Sequence, residues 1–271
     1  MVLGLALEPV QRTLMFGQLN LVLAALVLLD LFVVPKGARG LLLGLAAGIK
    51  ITPVFFGIYY LVKRDWASAA RSLASGLGTV ALGWVLLPSA SADYWLGGMD
   101  KMARFGTDAL QPANQSLRAV WVRLLGGDPG VGYPISALLV AGLATYTCYR
   151  LVASGEDLAA VTVLAAGSLL ISPISWTHHW VWVVPALVVL AGRGKWGWVV
   201  GATLVMFLPP MWAVTQDPLR LSPPEQLLAS TFVLAGVCYL LAMTWAVHRR
   251  SSTGHPAASP AVSELAGTRL H

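Results

Sequence analysis

Eight apolar runs, at about residues 19–34, 40–62, 70–88, 133–152, 157–172, 177–191, 195–213 and 227–247, are separated by polar connectors. Most approach the roughly 20 residues that a helix needs to cross a hydrocarbon layer of about 30 Å. In lipid a backbone N–H or C=O finds no water, so a spanning segment must close its hydrogen bonds as a helix or within a closed barrel. None of the runs shows the alternation of a barrel strand. The sequence therefore predicts an all-α, polytopic membrane bundle, and 57% hydrophobic against 11% charged residues lies well outside the soluble range. The net charge of +6 sits largely in connectors beside apolar runs, where it reads as topology and contact with membrane lipids rather than nucleic-acid binding. Cys148 and Cys238 lie within apolar runs, give no disulfide framework and no metal-ligand spacing, and no cofactor is called for.

Basic residues mark five ends: Lys36 with Arg39; Lys63, Arg64 and Arg71; Arg150; Arg193 with Lys195; and His248 to Arg250. Such ends face the cytoplasm. Two consecutive ones flank the run 40–62, so a straight span there would break the alternation. "GLAAGIKITPVFFGIYYLVKR" supplies a break, because Pro53 removes a helical donor, disfavours helix at Thr52, and Lys50 is costly in lipid. Residues 40–62 are predicted to form two short helices meeting at a re-entrant elbow, with Lys50 facing protein or water. A single kinked span with a snorkelling Lys50 is the alternative. With the hairpin in place, the outer side receives residues 1–18, the elbow, 89–132, 172–177 and 214–226. Residues 1–248 then form the membrane core and 249–271 a disordered cytoplasmic tail.

The outer segments carry most of the polar chemistry. "EPVQRTLMFGQLN" brings Glu8, Gln11, Arg12, Gln18 and Asn20; "LQPANQSLRAVWVRLL" brings Asn114, Gln115, Ser116, Arg118 and Arg123. Lys101 and Arg104 add basic charge against the usual bias, which points to an anionic ligand such as a lipid phosphate. Solvated faces of a surface helix would explain Arg118 and Arg123 equally well. "NQS" at 114–116 matches a glycosylation acceptor only weakly, and a buried polar lining or turn is preferred. In "ISPISWTHHW", His178 and His179 point about 100° apart on a helix, so they cannot form the i, i+4 pair used for zinc. One of them is expected to face a cavity as a donor whose charge changes near neutral pH. The alternative is an aromatic belt shared with Trp176, Trp180 and Trp182.

These motifs occur in one order: "GQLN" entering an apolar run, "GLAAGIKITP", "YW" in a long outer segment, "NQSL" followed by "RAVWVRL", and "SPISWTHH". The ordered set resembles the polyprenol-phosphate-mannose-dependent mannosyltransferases of actinobacteria, in the GT-C class of membrane glycosyltransferases, from about Glu8 to Leu190. The resemblance implies a plasma-membrane hexosyltransferase with an extracytoplasmic active side. It would move mannose from a polyprenol-phosphate-sugar donor to a glycolipid acceptor such as a phosphatidylinositol mannoside, lipomannan or lipoarabinomannan. Substrate would be bound by Glu8, Arg12, Gln18, Asn20, Lys50, Asn114, Ser116, Arg118 and Trp176, with one of His178 and His179 in the catalytic group. That class takes its base from a carboxylate in the loop after its first span, with several spans before "GQLN". The chain is therefore expected to correspond to the C-terminal two-thirds of such an enzyme, with the main base outside it. Among Glu8, Asp93, Asp100, Asp108, Asp128, Asp217 and Glu225, Glu8 is the best internal carboxylate, in a positioning role. A lipid or small-molecule transporter, which also uses broken helices, and a non-catalytic polyprenol-lipid-binding protein are the alternatives.

Overall fold

A computed structural model of the chain describes residues 2–96, 110–214 and 217–252. Asp100, Lys101, Arg104, Asp108 and nearly all of the expected tail lie outside these residues. The helices are α1 (Val2–Leu5), α2 (Glu8–Met15), α3 (Asn20–Phe32), α4 (Leu41–Ile49), α5 (Gly57–Val62), α6 (Trp66–Leu86), α7 (Pro88–Trp95), α8 (Leu117–Leu125), α9 (Gly132–Ala153), α10 (Asp157–Ile171), α11 (Val183–Gly192), α12 (Trp196–Phe207), α13 (Pro223–Ala229) and α14 (Thr231–Ser252). Three-residue-per-turn segments at Thr52–Phe56, Thr177–Trp182 and Pro210–Ala213 lead into or follow them.

The run 40–62 is a re-entrant hairpin. The flank of α4 that carries Gly40, Gly44 and Gly48 lies against Ser68, Ser72 with Gly76, and Thr79 of α6 in turn. Positions rise together on both helices, so α4 and α6 run parallel and the chain between them must double back. The reversal falls at Lys50, whose backbone is extended (φ −148°, ψ 132°), and Pro53 opens the return strand of helix. Asp30, near the end of α3, fixes the root of the hairpin. Its fully buried carboxylate accepts from the N–H groups of Gly40 (2.8 Å) and Leu42 (3.0 Å) and from the Tyr60 hydroxyl (2.6 Å). Gly40 has no side chain with which to cap α4, and the carboxylate from a neighbouring helix serves instead. Asp30→Leu strips acceptors from three donors, each worth about 1–3 kcal/mol when orphaned. We expect a loss of about 3–6 kcal/mol in detergent unfolding; a change below about 1 kcal/mol would contradict this role for Asp30.

The expected basic ends gather on one face. Lys63 pairs with Asp157 at 2.9 Å, Arg193 pairs with Glu156, and the Arg71 guanidinium donates to the carbonyls of Arg39 (2.7 Å) and Lys36 (2.6 Å). At the centre stands α10, buried at every residue from Ala159 to Leu170. Its alanines, glycine and hydroxyl residues let neighbours approach closely, as at Gly167 against Ala144 and Phe55. Aromatic bulk from the returning arm of the hairpin, Phe56, Tyr59 and Tyr60, fills the adjoining core with Leu23, Val27 and Leu43.

Most runs keep their expected lengths, and one, 195–213, is cut short at Phe207. Among the described residues three helices are long and apolar enough to cross a bilayer unaided, Trp66–Leu86, Gly132–Ala153 and Thr231–Arg249, while Asp157–Ile171, Thr177–Gly192 and Trp196–Phe207 are shorter. Proline is the reason for that one departure: Pro209 with Pro210 ends α12 inside a run that reads as continuous to residue 213, whereas α10 stops before Pro173 as its run predicts. The first run starts at Asn20, within a residue of expectation, after α2 and α3 meet at a bend of 113° through Gly17, which takes the positive φ (61°) the turn requires. At the other end α14 continues to Ser252, past residue 248.

Candidate functional site

Opposite the basic face, four segments meet: α2 and its turn, the elbow, the loop 110–116, and the turn 172–182. Helix α2 begins with Glu8 followed by Pro9, a favourable opening for a helix N-terminus, and sets Glu8 and Arg12 one turn apart on one side. The Glu8 Oε1 accepts from the Thr177 hydroxyl (2.7 Å) and pairs with Arg12 Nε (2.9 Å). Thr13 donates to the carbonyl of His178 (2.8 Å), so two contacts dock α2 onto "THH". Asn20, opening α3, reaches Thr13 through Nδ2 (3.5 Å) and accepts at Oδ1 from Lys50 Nζ (3.0 Å). The elbow lysine is therefore half-buried against protein, as the re-entrant reading expects.

The two loops are zipped together. Gln115 N–H donates to Ser175 C=O (2.7 Å), Thr177 N–H to Ala113 C=O (3.0 Å), and Ser175 N–H to Asn114 Oδ1 (2.9 Å), around an antiparallel bridge between Asn114 and Trp176. Ser116 caps α8 through the Ala119 N–H (3.1 Å) and donates to Pro173 C=O (3.2 Å). Behind them Arg123, 2% exposed, donates to the carbonyls of Asn114 (3.2 Å) and Ala229 (3.3 Å) and to Ser230 Oγ (3.2 Å). Burial pulls its guanidinium down to about 10. Gln115 accepts at Oε1 from the Phe232 N–H (3.0 Å), capping α14.

The arrangement encloses a polar recess of about 30 Å³, lined by Asn20, Lys50, Ser168, Ser172, Ser175 and His179. That is room for water, not for a sugar, so a larger ligand must part these walls. The Ser175 hydroxyl is buried there without a partner. The two histidines separate as their spacing predicts: their rings are 4.7 Å apart and nearly perpendicular, His179 lines the recess, and His178 meets Phe16 edge-on at 5.5 Å. Burial raises the Glu8 carboxyl, opposed by Thr177, Arg12 and the Trp212 indole. Glu8 Oε2 nonetheless has no partner meeting hydrogen-bond geometry. The Trp212 indole is thus a neighbour of this oxygen rather than a bonded donor.

Glu8, Arg12, Asn20, Lys50, His178 and His179 are thus brought together. Asn114 and Ser116 lie beside them, buried and engaged with backbone. Gln18 is exposed in the turn after α2, Trp176 is half-buried at the bridge, and Arg118 is half-buried on α8, away from the recess lining. Sequence reasoning passed over Thr13, Thr177, Trp212 and the three serines. Thr177, adjacent to the histidines, was the most findable. Beyond the recess an apolar cleft of about 510 Å³ runs between α10, α11, α12 and α14, and Leu169 and Trp182 line both spaces.

A helical, multi-pass membrane protein with a cationic polar recess opening beside an apolar cleft is what these features define. Residues 1–173 match Glycosyltransferase family 87, and the chain belongs to that family. It is 32% identical over 272 residues to the polyprenol-phosphate-mannose-dependent alpha-(1-2)-phosphatidylinositol pentamannoside mannosyltransferase of Mycolicibacterium smegmatis, covering 93% of this chain and 64% of that protein. It is 37% identical over 197 residues, 71% of this chain and 45% of the relative, to a polyprenol-phosphate-mannose-dependent alpha-(1-2)-phosphatidylinositol mannoside mannosyltransferase of Mycobacterium tuberculosis. A protein of the same description from Mycolicibacterium smegmatis is 33% identical over 235 residues, 81% of this chain and 52% of the relative. The chain thus spans between 45% and 64% of the length of these relatives. No solved structure matches it.

Proposed function

We propose that this chain serves in transfer of mannose from a polyprenol-phosphate-mannose donor to a phosphatidylinositol mannoside acceptor, at the outer face of the plasma membrane. One observation carries the reading: Lys50, turned inward on an interrupted hairpin, faces a polar recess that shares walls with an apolar cleft large enough for a lipid chain. A lipid-linked phosphate needs both. In the transfer an acceptor hydroxyl attacks the anomeric carbon while its proton passes to a general base other than Glu8, the bond from that carbon to the phosphate oxygen breaks, and the lipid phosphate leaves carrying negative charge. Lys50 and Arg12 offset that charge. Asn20 and the His179 ring orient the donor, and Glu8, committed to Arg12 and Thr177, holds α2 against the turn rather than taking the hydroxyl's proton. Asn114 and Ser116 act through the loop zipper.

The test is saturable binding by the full chain in lipid nanodiscs. Polyprenol-phosphate-mannose is expected to bind and GDP-mannose is not; equal binding, or none of the lipid, would sink the reading. Within the same assay His179→Ala should weaken donor binding about tenfold and His178→Ala less than threefold, since a lost hydrogen bond to a charged group is worth about 1.5–3 kcal/mol. Two silent variants would return both rings to the aromatic belt.

A further inference from the structure

At the mouth, Arg12 is flanked by two aromatic rings, Trp212 and Phe16, that a donor phosphate does not use. The segment Pro210–Ala213 follows α12, and Met211 on it is buried at 1% exposure while Trp212 beside it is 39% exposed. The Arg12 guanidinium lies over the Trp212 ring at 4.0 Å, and over the Phe16 ring at 5.7 Å, with Phe16 itself 50% exposed. Phe16 in turn meets His178. Trp212, Arg12, Phe16 and His178 therefore form a row of aromatic faces with a cation inside it, along the rim of the recess. An interfacial tryptophan that only anchors a helix needs lipid on its faces. Here one ring is covered by a guanidinium that Glu8 fixes at Nε, which leaves the other N–H donors of a fork of five. Glu8 Oε2, buried and without a hydrogen-bond partner, adds an acceptor at the base of the row.

This combination suits a neutral sugar. A pyranose has a less polar face of C–H bonds that packs on an aromatic ring and an equatorial edge of hydroxyls that need both donors and acceptors. We infer that the Trp212–Arg12–Phe16 ledge is a carbohydrate subsite that holds a mannose residue of the acceptor glycan beside the recess, an inference that rests on the proposed acceptor class. Trp212 is then a specificity-determining residue, placed to select among acceptor glycans by stacking one of their sugars.

The experiment uses the full chain in nanodiscs, soluble mannotriose as probe and saturation-transfer NMR as readout, with polyprenol-phosphate-mannose binding measured in parallel. Wild type should transfer saturation to the ring C–H protons. Trp212→Ala should weaken mannotriose binding about tenfold or more, while Trp212→Phe stays within about threefold, because the stacking face is kept. Donor affinity should be the same in all three. A wild type that gives no mannotriose signal overturns the subsite, as does a Trp212→Ala chain that matches wild type. If mannotriose binding depends on Trp212 while the donor fails to bind even wild type, the donor reading falls and the ledge stands.

Discussion

Gly44→Leu is expected to dismantle the re-entrant hairpin and abolish donor binding with it. A Cβ at this position would meet the Ser72 carbonyl, the Ser75 Cβ and the Gly76 amide of α6. Two of those three are backbone, which cannot rotate away as a flexible side chain does. Overpacking in a well-filled core costs about 1–3 kcal/mol when side chains can adjust, and more when two helices must separate. We therefore expect a loss of about 3 kcal/mol or more in thermal unfolding, with Gly44→Ala intermediate. Because α4 ends at the elbow, tilting it away from α6 also withdraws Lys50 from Asn20. Near wild-type stability in Gly44→Leu would mean that α4 and α6 do not approach as described.

Lys50→Met should weaken binding of polyprenol-phosphate-mannose by about 10- to 100-fold, the range that corresponds to losing a charged hydrogen bond of roughly 1.5–3 kcal/mol. Methionine matches the reach of the lysine stem, and Lys50 ties only to Asn20 among the described hydrogen bonds, so expression and unfolding should change little. Lys50→Arg should recover part of the affinity, as it keeps the charge but enlarges the head in a recess of about 30 Å³. Unchanged binding in Lys50→Met would favour a lysine that merely snorkels.

The hairpin was legible because two local signals agreed: basic residues at both ends of one apolar run, and a Lys with a Pro three residues later inside it. The end of α12 was less so, since hydropathy runs straight through Pro209 and Pro210 whereas the backbone hydrogen-bond ladder does not. Arg123 shows a different limit. By type and position it reads as a wet basic residue on an outer helix, yet it is 2% exposed, because beside the nearby carbonyls of Gln111 and Asn114 it is received by Ala229 and Ser230, more than 100 positions away. The choice between His178 and His179 was also beyond the sequence; it depends on which ring the docking of α2 covers. Trp212 gave no local signal, since its meaning arises only from Arg12, which sits 200 positions earlier.

The burial of α10 has a consequence for how the protein is made. Its wall is completed by α14, where Tyr239 and Thr162 share a hydroxyl hydrogen bond of 2.7 Å across 77 positions. At about 5–20 residues per second, synthesis leaves α10 waiting roughly 4–15 seconds for that partner. The loop 110–116 waits longer still, since Gln115 and Arg123 are satisfied by Ala229 to Phe232. Insertion helix by helix therefore leaves Gln115 and Arg123 without these partners until α14 packs beside α9, α10 and α12.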